Sequence, residues 1–480
     1  MAGLFNALNA ARTSLEVSQK QIEITGNNIS NVNTEGYSRQ DAELNPYPSM
    51  NFGDFFVGQG VRITDVNREH NVFVTNQLIQ KNVAYGYENG QTATFAELER
   101  VFPITENNLS SDIDSFFDSW QELSANPTDI VLRDVVIQQG GVLADRFNAT
   151  ATRLDEVQSN ISDKIVSGIE DVNSKLEQVA ELNDRIYNIE ITGQTANSAR
   201  DNRDLLLQEL AATVGAESYE LPNGMVNVQL PAGLPLVNGI SAMEIEAVTE
   251  GSDMELVLHT AGVTRTINDF NLGGEFAGLV QLKDEFIPAL EQDLDRLAFS
   301  VINEVNNLHR AGAGLDGSTG LNFFEAPPNQ NNPVVVPPAE PTAANWENAA
   351  RTMSVALSNA VQVAAAQAPE PGSSVLQGDN SNALAIADLS YALTIDGADN
   401  FNSFYGKMTS TVGIASNQNQ LNLGGAEDAL VQVQNLRDGY AGVSLEEEMI
   451  DLIQYQRSFQ SSAKFLSTVD EMMTSLIDIK

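Results

Sequence analysis

Apolar residues recur at every seventh position near both ends of the chain. Close to the N-terminus Leu8, Leu15, Ile22 and Ile29 form one such row, and Leu4, Ala11, Ser18 and Thr25 form a second, half-polar row. Close to the C-terminus Leu445, Leu452, Phe459, Leu466 and Met473 repeat at the same interval, with Tyr455, Val469 and Leu476 broadening the stripe. A seven-residue repeat keeps its members along one line of an α-helix, so each end reads as an amphipathic helix with a narrow seam. One such helix alone would lie on the nearest core. Two matched seams at opposite ends of the chain pair more simply with each other, as a coiled coil that brings the termini together.

Between the ends the period changes. The run Asn27-Asn28-Ile29-Ser30-Asn31-Val32-Asn33-Thr34-Glu35-Gly36-Tyr37 is dense in Asn, Thr and Gly, and ends the first helix in a turn. Residues 47–70 read as extended or looped, with Phe52, Phe55, Phe56 and Val57 available to a core. Helical spacing dominates from Asn71 to about Gly193. Its longest part starts near Asp129 and carries Val157, Ile161, Ile165, Ile169, Val172, Leu176, Val179, Leu182, Ile186 and Ile189 at intervals of three and four. A helix that long needs a companion for its apolar stripe, and the segment from Leu279 through Leu308 supplies one. From Thr213 to about Asn271 the period approaches two, punctuated by Gly215, Pro222-Asn223-Gly224, Gly239, Gly251 and Gly262, which predicts strands and hairpins. Eight of the sixteen prolines fall between Ala326 and Gly372, an exposed loop by composition, with one strand expected around Met353, Val355 and Leu357. Helix resumes near Asn382, with breaks expected at Gly397 and Gly424-Gly425.

The fold class is therefore mainly α with a β excursion, in an elongated multidomain chain. Residues 1–45 with 440–480 form a terminal coiled-coil domain. Residues 46–212 with 275–315 and 375–439 form a helical rod, 213–274 a β-rich subdomain, and 316–374 a proline-rich outer segment with a short strand.

Charge and chemistry narrow the function classes. The 25 Lys+Arg against 65 Asp+Glu leave a net charge of −40, which repels phosphate backbones and anionic lipid, so neither nucleic acid nor membrane is expected as a partner. The absence of cysteine excludes thiol catalysis and any disulfide framework. Met1-Ala-Gly-Leu-Phe lacks the basic and apolar regions of a cleaved signal peptide. Gly312, Gly314 and Gly317 satisfy G-x-G-x-x-G, but they follow a helix rather than a strand, and read as a turn. His70, His259 and His309 are isolated, so no metal, cofactor or catalytic constellation is expected.

At the two ends the residues resemble a known family. Gly26 through Tyr37, with Asn27, Asn28, Asn31, Asn33, Thr34, Gly36 and Tyr37 at its centre, is similar to the N-terminal signature of flagellar rod, hook and hook-associated proteins. The continuation Tyr37-Ser38-Arg39-Gln40 looks most like the hook–filament junction members of that family. Val443-Ser444-Leu445-Glu446-Glu447-Glu448, followed by Gln454-Tyr455-Gln456 and Ala463-Lys464, is similar to the family's C-terminal helix. Agreement continues inward at Arg200-Asp201-Asn202-Arg203-Asp204, Asn306-Asn307-Leu308-His309 and Gly378-Asp379-Asn380-Ser381-Asn382, and fails mainly in the proline-rich stretch. Glu35 departs from the proline often found there, which loosens the turn.

The resemblance implies a structural subunit and no enzyme. It implies export without a cleaved signal peptide and an extracellular place at the hook–filament junction, with self-assembly in a ring. The partners implied are the hook protein, the second junction protein and an export chaperone on the C-terminal helix. Leu8, Leu15, Ile22, Ile29, Leu445, Leu452, Tyr455, Phe459, Leu466 and Met473 would form the assembly interface. Another axial protein, or a secreted enzyme or adhesin carrying flagellar ends, stays open as an alternative at this point. Because the proline-rich loop offers neither ladder bonds nor a packed face, replacing Pro327–Pro341 by a short Gly-Ser linker should leave motility intact. Lost swimming with normal export would instead give the loop a part in assembly.

Overall fold

Helical spacing at both ends and β spacing between them are realised in the following order. The first helix, α1 (Ala2–Ser30), leads into a hairpin of β1 (Gln40–Pro46) and β4 (Val61–Arg68), with the short pair β2 (Met50–Phe52) and β3 (Phe55–Val57) between them. Then come α2 (Val72–Val101), α3 (Leu109–Ala125), the 61-residue α4 (Ile130–Glu190) and α5 (Asn197–Val214). The β excursion holds two antiparallel sheets. One is β5 (Glu217–Glu220), β6 (Val226–Leu230), β7 (Leu234–Asn238) and β8 (Ser241–Ala242) in that order; the other is β9 (Glu244–Glu250), β10 (Asp253–Thr260) and β11 (Val263–Ile267). Helix returns as α6 (Gly274–Gln281) and α7 (Ile287–Ala311). The two-residue β12 (Gly312–Ala313), the short α8 (Ala349–Thr352) and β13 (Ala366–Gln367), which pairs with β12, follow. The chain closes with α9 (Ser381–Ala387), α10 (Phe401–Ala441) and α11 (Leu445–Asp478). The structure, a computed structural model, describes all residues except Met1, 53–54, 106–107, 251–252, 261, 268–270, 327–345, 370–375 and 479–480. It is 66% helical with small antiparallel sheets, the mainly α class with a β excursion that the pattern predicts. No described helix is long and apolar enough to cross a membrane.

The chain divides into two units. The first comprises Met1–Glu88, Val166–Ala277 and Leu423–Lys480, the second Asn89–Ile165 and Gly278–Asn422. In the first, the later half of α4 buries Ile169, Val172, Leu176, Val179 and Ile186. Asparagines on α4 fasten the two sheets. Asn173 Nδ2 donates to the Ile245 carbonyl (2.8 Å) and its Oδ1 accepts the Ile245 N–H (2.9 Å). Asn183 makes the same pair of bonds with Val226 (2.7 and 3.0 Å). The excursion starts and ends at one place: Gly273 N–H donates to the Val214 carbonyl (3.0 Å), and a Cβ on Gly215 would lie 2.3 Å from Gly273 Cα. Gly215 has φ +72°, so both the close approach and the backbone conformation require glycine there.

The second unit is built on rings. Phe116, Trp120, Phe323, Phe324 and His309 are fully buried, with centroids 4.8 Å apart for Phe323–Phe324 and 6.3 Å for Trp120–His309. Asn306 Oδ1 accepts from the N–H groups of Phe323 and Phe324 (both 2.9 Å), while its Nδ2 donates to the Phe324 carbonyl (2.9 Å).

Several local expectations are not met. Gly424-Gly425 do not break the last helices: α10 runs through them, and the break falls at Gly442, where a Cβ would meet the Asp438 carbonyl at 2.3 Å. The companion helix is interrupted by a π turn at Leu282–Phe286, just before Pro288, which has no N–H to give the preceding turn. The strand expected at Met353–Leu357 is reduced to one bridge, Val355 to Phe324. Phe56 is exposed rather than in a core. Gly312, Gly314 and Gly317 form an ordered turn in which Gly314 N–H meets the Ser318 carbonyl (2.8 Å) and Asp316 accepts the Ser318 N–H (2.9 Å). Pro327–Pro341 lie outside the described residues.

Buried neutral His309 contributes a stability to the second unit that acid would remove. Its Nδ1 donates to the Leu321 carbonyl (2.7 Å) and its Nε2 accepts the Ala364 N–H (3.0 Å), and burial lowers its pKa from 6.5 to about 4. The unfolded chain therefore takes up the proton first. The stability that neutral His309 gives is whole above its unfolded pKa and is lost as pH falls toward the folded one. Burial raises the pKa of Glu291, Asp293, Asp295 and Glu304 in the same unit, and those groups act in the opposite sense. The measurement is accordingly a difference. Between about pH 7 and pH 5, urea denaturation should show the unaltered chain losing about 2 kcal/mol more than His309→Gln. Parallel losses would remove His309 from the account.

Candidate assembly site at the paired termini

α1 and α11 lie against each other along most of their length. Two side-chain contacts fix their direction. Ser14 Oγ is 2.8 Å from Ser462 Oγ, and Asn28 Nδ2 is 3.1 Å from Glu448 Oε2. Ser14 and Asn28 are fourteen residues apart, as are Glu448 and Ser462, but the order is reversed. The pair is antiparallel, with residue i opposite residue 476 − i and the two contacts two heptads apart.

The signature turn is folded by its own polar groups. Asn31 N–H closes the last turn of α1 on the Asn27 carbonyl (3.1 Å), and its amide Nδ2 donates to Asn27 Oδ1 (2.8 Å). Thr34 Oγ1 donates to Asn31 Oδ1 (3.2 Å), Asn33 is exposed, and Gly36 takes φ +78°. This sends Tyr37 back toward the helix, where its hydroxyl donates to Asn28 Oδ1 (2.8 Å). Burial, with the Asp201 and Glu448 carboxylates nearby, pushes the Tyr37 phenol up to about 12, so it keeps the proton it donates. Asn28 uses all its capacity: Nδ2 also donates to the Gln40 carbonyl (2.9 Å), and Oδ1 accepts the Gln40 N–H (3.0 Å).

Opposite Asn28 sits Glu448, 1% exposed, whose Oε1 accepts from Arg39 Nε (2.9 Å). Arg39 also reaches Asp451 (3.5 Å) and Glu447 (3.7 Å). Backbone carbonyls tie the same crossing: the Arg39 backbone N–H donates to that of Ala441 (2.8 Å), and the Arg437 guanidinium Nη2 donates to those of Gly36 (2.7 Å) and Tyr37 (3.1 Å). Asp201 on α5 accepts the Ser38 N–H (3.2 Å) and, with Asp204, holds Arg68 at 2.7 Å.

The seam differs in detail from the one read in the sequence. Leu8, Leu15, Ile22 and Ile29 are half-buried, and the row that is fully buried is the small, polar one, Ala11, Ser18 and Thr25. On α11, Leu452, Tyr455, Leu466 and Met473 are half-buried and Val469 is buried, whereas Leu445 and Phe459 are exposed. Glu448 and Ser462, which complete the row of Tyr455 and Val469, carried no apolar signal and were missed. Arg39 within the motif and the run Glu446-Glu447-Glu448 were the trace they left. Phe5, Met449, Ile450, Ile453, Phe465, Met472 and Ile477 stay exposed on the flanks of the pair. Among the described residues no three His, Asp or Glu converge as metal ligands.

Known proteins share this layout. A family profile described as the flagellar hook-associated protein FlgK helical domain matches residues 95–324. Profiles of the flagellar basal body rod protein and of the rod FlgEFG C-terminal segment match 6–37 and 440–479, the two ends that pair here. Flagellar hook-associated protein 1 of Bacillus subtilis (strain 168) is 26% identical over 100% of this chain and 99% of its own length. The chain belongs to the flagellar hook-associated protein 1 (FlgK) family. The FlgK-family protein of Escherichia coli (strain K12) is 24% identical, with 98% of this chain and 99% of its own length covered. The structure of the flagellar hook junction protein FlgK from Burkholderia pseudomallei matches the fold with a TM-score of 0.65 at 15% identity, over 77% of this chain and 100% of that one. FlgK-family chains are structural components of the flagellum that assemble with other axial proteins, and this one is not an enzyme.

The buried carboxylate gives a measurable consequence. Arg39→Met leaves Glu448 without its cation and should lower stability in chemical denaturation by about 3 kcal/mol. Arg12→Met, which breaks the exposed pair with Glu16, should cost less than about 0.5 kcal/mol. Equal effects would mean that Glu448 is not desolvated.

Proposed function

We propose that this chain is the subunit that joins the flagellar hook to the filament, polymerising in a ring through its paired termini. The observation that carries the reading is the exposed apolar flank of the α1–α11 pair. Leu445, Met449, Ile450 and Ile453 near one end of α11, and Phe465, Met472 and Ile477 near the other, are uncovered in a single copy. Apolar residues clustered along one element in a chain of net charge −40 are what neighbouring copies would cover. The sequence match over the whole length to hook-associated protein 1 supports the same place in the flagellum.

The finer partners follow from that place. One end of the ring meets the hook protein and the other the second junction protein. Before assembly the same exposed face of α11 is where an export chaperone would sit, and the subunit leaves the cell without a cleaved signal peptide. Leu8, Leu15, Ile22, Ile29, Leu452, Tyr455, Leu466 and Met473 hold the pair, while Leu445 and Phe459, exposed in one copy, face its neighbours.

Immunogold labelling of intact flagella should mark the boundary between hook and filament; label confined to hook, rod or filament would overturn the assignment. Phe459→Asp and Met472→Asp, both on exposed positions of the pair, should barely move the melting temperature of the subunit. In the ring each would bury an unpaired carboxylate in every copy. Cells should then bear hooks without attached filaments and shed filament subunit into the medium. Filaments that stay attached in both variants would count against α11 as the polymerising face.

A further inference from the structure

We propose that Asn28 and Glu448 select the register of the terminal pair, so that the signature motif acts as a key as well as a turn. The inference rests on the pair being the assembly element, and concerns how that element chooses one alignment. The apolar rows cannot make the choice. They repeat every seven residues on both helices, so a slip of one heptad, about 10 Å along the axis, again sets one row against the other and forfeits only the overlap at the ends.

The polar groups have no such repeat. In the observed register Ser14 meets Ser462, Asn28 meets Glu448, and Arg39 reaches Glu447, Glu448 and Asp451. A slip in one direction sets Asn28 against Ala441, Ser14 against Tyr455 and Glu448 against Gln21. A slip in the other sets Asn28 against Tyr455, Ser14 against Val469 and Glu448 against Glu35. Gln21 could offer Glu448 one amide donor, where Arg39 and Asn28 now supply a charged and a neutral one. In either slip Arg39 moves off the one acidic stretch in the first half of α11. Glu448 is 1% exposed and Asn28 2%, so partners lost there are not replaced by bulk water. The polar positions cost the seam apolar contact and return a single alignment.

The chain has no cysteine, so introduced pairs report register without background. In the full-length soluble subunit, Ser14→Cys with Ser462→Cys reports the observed alignment. Ser14→Cys with Tyr455→Cys, or with Val469→Cys, reports the two slips. On oxidation the first pair should crosslink in excess of either slipped pair by about tenfold or more. Adding Asn28→Leu and Glu448→Leu should bring the slipped crosslinks up to the level of the first. Slipped crosslinks as abundant as the first pair in the otherwise unaltered chain would overturn the proposal, as would an undisturbed preference in the leucine variant. If the leucine variant loses all three crosslinks, Glu448→Gln decides: a larger slipped share supports the key, and an unchanged share overturns it. Immunogold position is read separately. Label at the junction with scrambled crosslinks rejects the register key alone, and label elsewhere rejects the junction reading alone.

Discussion

A carboxylate taken out of water must be given charge and hydrogen bonds in return, and in this chain the carboxylate of Glu448 receives them from residues more than four hundred positions away. Arg39 Nε and Asn28 Nδ2 meet its two oxygens. Most of the described geometry at the chain crossing serves that contact. The Asn31 and Thr34 bonds turn the chain so that Tyr37 can hold Asn28 by its other end. The Arg39–Ala441 and Arg437–Gly36 bonds keep the two strands of the crossing together. Asp201 then fixes Ser38 and Arg68 to α5, so the terminal pair is fastened to its own unit through charge as well as packing.

The sequence made the elements legible and the partners much less so. A seven-residue repeat names a helix and a face, and α1, α4 and α11 follow it closely. It does not decide which of two interleaved rows points inward. Large side chains suggested the row of Leu8 and Leu15, whereas the interior took Ala11, Ser18 and Thr25. The crowding on α1 is visible at Gly60, where a Cβ would lie 2.3 Å from Thr13 Oγ1. The β1–β4 hairpin and α11 press on different faces of the same helix, which favours small residues. Glu448 was hidden for a related reason. A glutamate in the first turn of a helix normally serves the helix dipole from solvent, and only the distant Arg39 makes it an interior residue. The continuity of α10 through Gly424-Gly425 was illegible because a glycine inside a helix costs only about 1 kcal/mol, which the rest of this 41-residue helix absorbs.

Small and polar seam residues bury little apolar surface, so the pair is held more by matching than by mass. In a lone domain that would be a defect. For a subunit that assembles with other axial proteins it has a use, because the large residues left over, Phe465, Met472 and Ile477 among them, stand exposed on the flanks where a partner can cover them. The excess of acidic residues keeps such a surface soluble in the meantime, and without cysteine nothing covalent fixes the ends before assembly.

One local device joins helix to non-helix throughout the chain. Asn28 binds both the N–H and the C=O of Gln40; Asn173 does the same to Ile245, Asn183 to Val226 and Asn306 to Phe324. A carboxamide presents one donor and one acceptor side by side, as a neighbouring strand would, so each asparagine lets a helix close the hydrogen bonds of an extended segment it could not otherwise pair with. Aspartate lacks the donor, and glutamine adds a methylene that moves the amide out of reach. Three of the four carry sheets or loops that only need to be held in place. The fourth also meets a buried carboxylate, and there the same side chain that completes a strand distinguishes one alignment of two repetitive helices from the next.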